Sequence, residues 1–241
     1  HTTMPSPACI TVGLRHGNGF FPPNSSPIPI LKPQTGLQNI QVDGGTDSLK
    51  KKLSLAQSIG TDFAQRYDDT NVKAYREFYD HTMRLLASKD LAAFDLSKEK
   101  APMRERYGMS SFGQGCLLAR RLTEAGIRYV EVASNGWDMH NNLKAEMEDL
   151  APSFDQAYAA LISDLDERGM LDSPLVVMAT EFGRKPDYNG NGRGHYPICF
   201  SSVLAGGGIK RGFVYGGSDE RGAQPDKPVT FGDFHATIGR A

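Results

Sequence analysis

From Ser110 onward the chain alternates between segments of helical period and short apolar runs, and this alternation limits the possible folds more than any other feature. "SSFGQGCLLARRLTEAG" reads as a helix with Ser110 or Ser111 as its N-cap and Gly126 just past its end. "IRYVEVAS" follows as a strand. "APSFDQAYAALISDLDERG" is the next helix. Pro152 falls in its first turn, Gly169 follows its end, and Phe154, Tyr158, Leu161, Ile162 and Leu165 form its apolar stripe. "SPLVVMAT" is a nearly continuous apolar run, as expected for a strand buried on both faces. "YPICFSSVLAG" reads as a further strand, "GFVYGGS" as a short edge strand, and "TFGDFHATIGR" as a terminal helix capped by Thr230. The order is helix, strand, helix, strand, strand. It predicts an α/β fold with a mostly parallel sheet covered by helices.

Upstream the pattern differs. Residues 1–46 are rich in Pro, Gly, Ser and Asn, which favours an irregular, extended arm, either packed on a core or partly disordered. Residues 47–107 read as a helical segment or insertion, with Asp47 or Ser48 as first cap. Val72, Tyr75, Phe78, Tyr79, Met83 and Leu86 follow at helical spacing. His81 lies there among charged neighbours and reads as a solvated or satisfied histidine. Residues 108–241 make the α/β core of what is one domain overall. Both ends are abrupt, so the chain reads as a fragment of a longer protein.

Bulk properties exclude several partners. With 27 basic and 28 acidic residues in 241, the net charge of −1 gives no sign of nucleic acid or an anionic membrane surface. No apolar run approaches the roughly 20 residues that span a bilayer. Cys9, Cys116 and Cys199 are too few and too widely spaced for a disulfide framework or a zinc knuckle, and Cys116 and Cys199 read as buried apolar side chains.

Two predicted strands run into unusual polar loops, and in open α/β sheets ligands sit beyond the carboxyl ends of strands. The first loop, "NGWDMHNN", carries Trp137, Asp138 and His140. The second, "EFGRKPDYNGNGRGHYP", carries Glu181, Arg184, Arg193 and His195. In extended backbone Asp138 and His140 point to the same side, where a divalent cation accepts mixed oxygen and imidazole ligands. Plainer readings stand beside this one. Asp138 can cap a helix starting near Asn141, His140 can bond a carbonyl, Glu181 and Arg184 can form an ion pair, and "NGNGRG" can be a flexible turn.

"GWDMHNN", "LISDLDERGMLDSPLVVMATEFGRKP", "GNGRGHYP" and "SVLAGGGIKRGFVYGGSDERGAQPDKPVTFGDFHATI" together resemble a bacterial sulfatase-like family, domain of unknown function 1501. That family is similar to the alkaline phosphatase superfamily. The resemblance implies a three-layer α/β/α sandwich, here lacking the first strand or strands. It also implies a metal-dependent hydrolase of small anionic phosphate or sulfate esters, periplasmic or at the cell surface. The implied ligands are Asp138, His140, Glu181 and His195 around a divalent Zn, Mn, Ca or Mg ion, with Arg184 or Arg193 holding the substrate's charge. Related sequences carry Asp-His where this chain has Glu181-Phe182, so Phe182 offers no atom to a second metal. The superfamily's nucleophile lies on a segment upstream of this chain. The alternative is a catalytically inactive binding or cell-surface protein of the same fold. A third reading makes residues 47–107 a partner-binding insertion.

Overall fold

The computed structural model describes residues 9–15, 17, 19, 26–37, 45–67, 69–70, 72–73, 76–77 and 88–241. His16, Tyr75, Phe78, Tyr79, His81, Met83 and Leu86 lie outside them. The chain forms a mixed α/β structure in two compact units, divided between Ser134 and Asn135.

The first unit is built on a small parallel sheet. Its strands are β1 (Cys9–Val12), β2 (Ile28–Ile30) and β3 (Tyr129–Val132), in the order β2-β1-β3. Ile10 pairs with Ile28 on one side and Val130 on the other. Ile10, Thr11 and Val12 are at most 1% exposed, as befits the middle of a sheet covered on both faces. The irregular arm expected over 1–46 is corrected here, since Cys9–Val12 and Ile28–Ile30 are strands. Strand β1 is only four residues of apolar and β-branched side chains. Strand β2 contains Pro29, which has no N–H to give a ladder and is tolerated because β2 is an edge.

Helix α1 (Gly45–Arg66) and the short α2 (Ala101–Arg106) precede α3 (Ser111–Glu124). Ser110 caps α3 by accepting from Gly113 N at 3.0 Å, one of the two caps foreseen. Gly126, at φ 91°, closes it. Ile127 N donates to Leu122 O and Gly126 N to Thr123 O, the paired bonds of a Schellman turn. At Gly115 a Cβ would stand 2.9 Å from Val132 Cγ1 and 3.2 Å from Val12 Cγ1, so the missing side chain lets α3 lie close on the sheet. Leu117, Leu118 and Leu122 are fully buried behind it. Arg120 is buried too, its guanidinium held by Glu99 at 2.8 Å and Glu124 at 2.7 Å. Cys116 is buried, and desolvation pushes its thiol up to about 12, so it packs as an inert apolar group. Cys199 is only half-buried.

The second unit contains α4 (Leu143–Glu167), β4 (Leu175–Met178), β5 (Gly183–Arg184), β6 (His195–Tyr196), β7 (Val203–Gly206) and α5 (Phe231–Ile238). Helix α4 starts well before the expected Ala151, so Pro152 sits in its interior and not in its first turn. The turns before the proline, "LKAEMEDL", carry Leu143, Met147 and Leu150 at helical spacing and extend the stripe towards the N-terminus. Asn142, at φ 50°, forms the bend that precedes α4. Gly169 and Met170 end it with a second Schellman turn, Met170 N donating to Leu165 O. Helix α5 is capped as foreseen, Thr230 and Asp233 exchanging bonds in a capping box.

The expectation of one mostly parallel sheet is corrected here. Strand β4 pairs antiparallel with β7, and β5 antiparallel with β6. The pairings nest: Leu175 with Gly206, Met178 with Val203, Arg184 with His195, and Asn189 with Gly192 at the tip. The polar stretch after β4 is therefore the arm of one long hairpin, where a crossover to a parallel neighbour was expected. Val177 stays 38% exposed, because a two-stranded sheet cannot cover both its faces. Only Tyr196 and Val203–Gly206 of the predicted "YPICFSSVLAG" lie in strands, and "GFVYGGS" contributes only the bridge of Ser218 with Pro225.

Candidate metal centre

All the functional candidates after Ser134 lie within the second unit. The loop before α4 alternates as its sequence predicts. Met139 is 2% exposed, while Asp138 and His140 flank it on the solvent side. Two tight bonds fix this, from Met139 N to Trp137 O and from His140 N to Asp138 O. Trp137 is anchored edge-on against Phe154 of α4, with ring centroids 5.5 Å apart, and Phe154 stacks on Tyr158. Trp137 thus belongs to the packing of α4, and its neighbour Asp138 is carried on a rigid base.

Hairpin β5–β6 brings the remaining residues to this loop. His195 Nε2 lies 2.8 Å from Asp138 Oδ1 and 3.0 Å from His140 Nε2, and His140 Nε2 lies 3.1 Å from the same Oδ1. Two imidazole nitrogens and a carboxylate oxygen therefore form a nearly equilateral triangle. The three side chains are 44–66% exposed, which leaves one side of the triangle open to solvent. The two Nε2 atoms face one another at 3.0 Å, a spacing that suits a hydrogen bond between the rings or a shared cation. Ligands about 2.1 Å from one ion in neighbouring positions are themselves about 3.0–3.4 Å apart, so the triangle, at 2.8–3.1 Å, comes close to that spacing and could hold a metal ion.

Surrounding contacts hold the triangle in shape. Phe182 stacks on the His195 ring at 4.2 Å. Arg184, directly opposite His195 in the hairpin register, donates through Nη2 to Asp138 Oδ1 at 2.6 Å. Near the hairpin tip Arg193 N donates to Met139 O, Leu143 N to Asn191 O, and Asn191 Nδ2 to Asn142 Oδ1. Gly192 is buried there, and a Cβ on it would run into His140 O and Asn141 N. Neither backbone atom can yield. Gly192→Ala is expected to cost about 1–3 kcal/mol and to loosen the His140 loop. Chemical denaturation would check this, and an unchanged midpoint would contradict it.

Of the residues expected to converge, Asp138, His140 and His195 do so. Their ligand atoms all lie within 4.8 Å of one another, and Glu181 is not among them. Glu181 is exposed. Along the strand, side chains alternate, and Phe182 and Arg184 take the side that faces the loop. A Cβ on Gly183 would instead meet Cys199 O and Phe200 Cβ. Arg193 lies over the Tyr188 ring at 4.7 Å, and its buried Nε has no hydrogen-bond partner among the described residues. Phe182 is the residue sequence reasoning missed. It was seen only as a failed ligand, although an aromatic two places before Arg184 was the available signal.

The hydrogen bond from His195, then that from Arg184, holds the Asp138 carboxyl down to about 2. A depressed carboxyl stabilises the fold above its unfolded pKa of about 4, and that contribution is lost as pH falls through about 2. The stability difference between the natural protein and Asp138→Asn is thus expected to be constant above about pH 5 and to shrink towards zero near pH 2. Urea titrations across that range would show it, and a difference that did not shrink would refute the assignment.

The fold and site so far define a mixed α/β protein with an exposed Asp-His-His triangle suited to a cation. Residues 2–241 match the family model described as "Protein of unknown function (DUF1501)", and the chain belongs to that family. Neither the curated proteins nor the solved structures contain a match to this chain.

Proposed function

We propose that this chain is the core of a metal-dependent hydrolase of small phosphate or sulfate esters, with an alkaline-phosphatase-like α/β/α fold. The observation that carries this reading is the meeting of Asp138, His140 and His195 within 2.8–3.1 Å of one another on an open surface. These three would hold the cation. Two nitrogens in three favour Zn or Mn over Ca or Mg. Phe182, where related sequences carry a ligand, favours one cation over two. When bound, the ion supplies Lewis acidity to an ester oxygen and lowers the pKa of a nucleophile. Arg184 places positive charge beside the triangle, whose field suits an anionic substrate. Periplasmic or cell-surface location is proposed with it, on the sequence resemblance.

Metal analysis of the purified full-length protein tests the reading directly, followed by assay on aryl phosphate and aryl sulfate esters. The expected result is about one Zn or Mn per chain, and hydrolysis that chelation abolishes. A protein that takes up no divalent cation would sink it.

The alternative is a fold kept for binding without turnover. It is favoured by Arg184, which already supplies Asp138 with a counter-charge, so the triangle can stand as a hydrogen-bonded set without a cation. Retained metal with hydrolysis would exclude this alternative.

A further inference from the structure

We propose that Arg184 is a positioning residue that aims Asp138 at the cation, and that it does not clamp the substrate. This rests on the metal reading above. The Arg184 side chain is only 23% exposed, and its guanidinium joins two separate stretches of chain. Nη2 donates to Trp137 O at 2.8 Å and to Asp138 Oδ1 at 2.6 Å, and Nη1 donates to Arg193 O at 3.1 Å. One planar fork therefore ties the loop that carries Asp138 to the strand that carries His195. The Asp138 oxygen it grips is the one both imidazoles meet. An exposed carboxylate would otherwise sample several rotamers. With Arg184 in place, Oδ1 stays turned towards the two rings.

Geometry rather than charge is the active feature. Three acceptors in fixed directions suit a guanidinium, whereas a lysine ammonium is a point charge on a flexible stem. Three of the five guanidinium donors, both on Nη2 and one on Nη1, are committed to Trp137, Asp138 and Arg193. The hairpin itself does not depend on this fork. Arg193 N to Met139 O, and Leu143 N to Asn191 O, hold its far end to the same loop. Arg184 variants should thus keep the fold while the carboxylate loses its aim.

The test compares the full chain with Arg184→Lys and Arg184→Met, by cobalt(II) titration followed through Trp137 fluorescence and the visible spectrum. Both variants are expected to weaken cobalt binding by about 10–100-fold, as loss of a supporting contact does at metal sites, with an altered spectrum and a thermal transition close to that of the natural protein. Lysine should not rescue, although it keeps the charge. Cobalt affinity unchanged in Arg184→Lys, with inorganic phosphate affinity lost, would make Arg184 a substrate clamp and overturn the proposal. If the natural protein takes up no cobalt, the metal reading falls by itself. The positioning role is then decided in the metal-free protein by cross-relaxation between the ring protons of His140 and His195. The signal is expected in the natural protein and lost in both variants, and its persistence in them would overturn the role. Should Arg184→Met fail to fold, Arg184→Lys alone gives each of these readings.

Discussion

Replacement of His195 by alanine is expected to weaken divalent-cation binding by at least about 100-fold, more than loss of a supporting residue costs. Of the three triangle residues, only His195 comes from the hairpin. Its Nε2 stands 2.8 Å from the Asp138 oxygen and 3.0 Å from the His140 nitrogen, so its loss leaves two ligands on one short loop. The side chain is 44% exposed, so truncation opens no buried cavity and the fold should persist. His140→Ala should behave alike. Calorimetric titration with Zn or Mn measures both effects. An affinity within threefold of the natural protein for His195→Ala would show that the triangle is not the binding site.

The largest effect on stability is expected at Glu99, far from the triangle in sequence. Its Oε1 accepts from Arg120 at 2.8 Å and from Arg121 at 2.6 Å, and the Arg120 side chain is 1% exposed. Burial raises the Glu99 pKa, but hydrogen bonds from Arg121 and Arg120 outweigh it and leave the carboxyl below its ordinary value. Its contribution is therefore present above the unfolded pKa and lost only as pH falls through the lower folded one. Glu99→Gln removes the charge opposite a buried guanidinium and should cost about 3 kcal/mol or more. Glu124, the other partner of Arg120, is half-exposed and cannot replace it. The double variant Glu99→Gln, Arg120→Met should regain most of the loss, because an apolar side chain carries no charge to desolvate. Urea unfolding of both variants decides this. A single variant as stable as the natural protein, or a double variant no better than the single, would refute it.

Local rules accounted for much of this molecule. The caps at Ser110 and Thr230, the glycine ends at Gly126 and Gly169, and the shared side of Asp138 and His140 each depend on neighbours within a few residues. Those neighbours are visible in the chain. The same two-residue alternation leaves Glu181 outside the cluster, since Phe182 and Arg184 take the side that faces the loop.

Spacing along the chain thus specifies the local elements and the pairing of an acid with a histidine on one loop. Tertiary structure decided the rest. Strand β1 exists because β2 on one side and the distant β3 on the other supply its hydrogen bonds, and four residues amid prolines carry no periodic signal of that. Arg120 is buried because Glu99 and Glu124 fold onto it. His195 reaches Asp138 only because the hairpin nests on itself and Arg184 fastens it to the loop. The physical reason is the same in each case: a backbone donor, a buried charge or a ligand atom is satisfied by whichever group folding brings to it. Local spacing does not record which group that is.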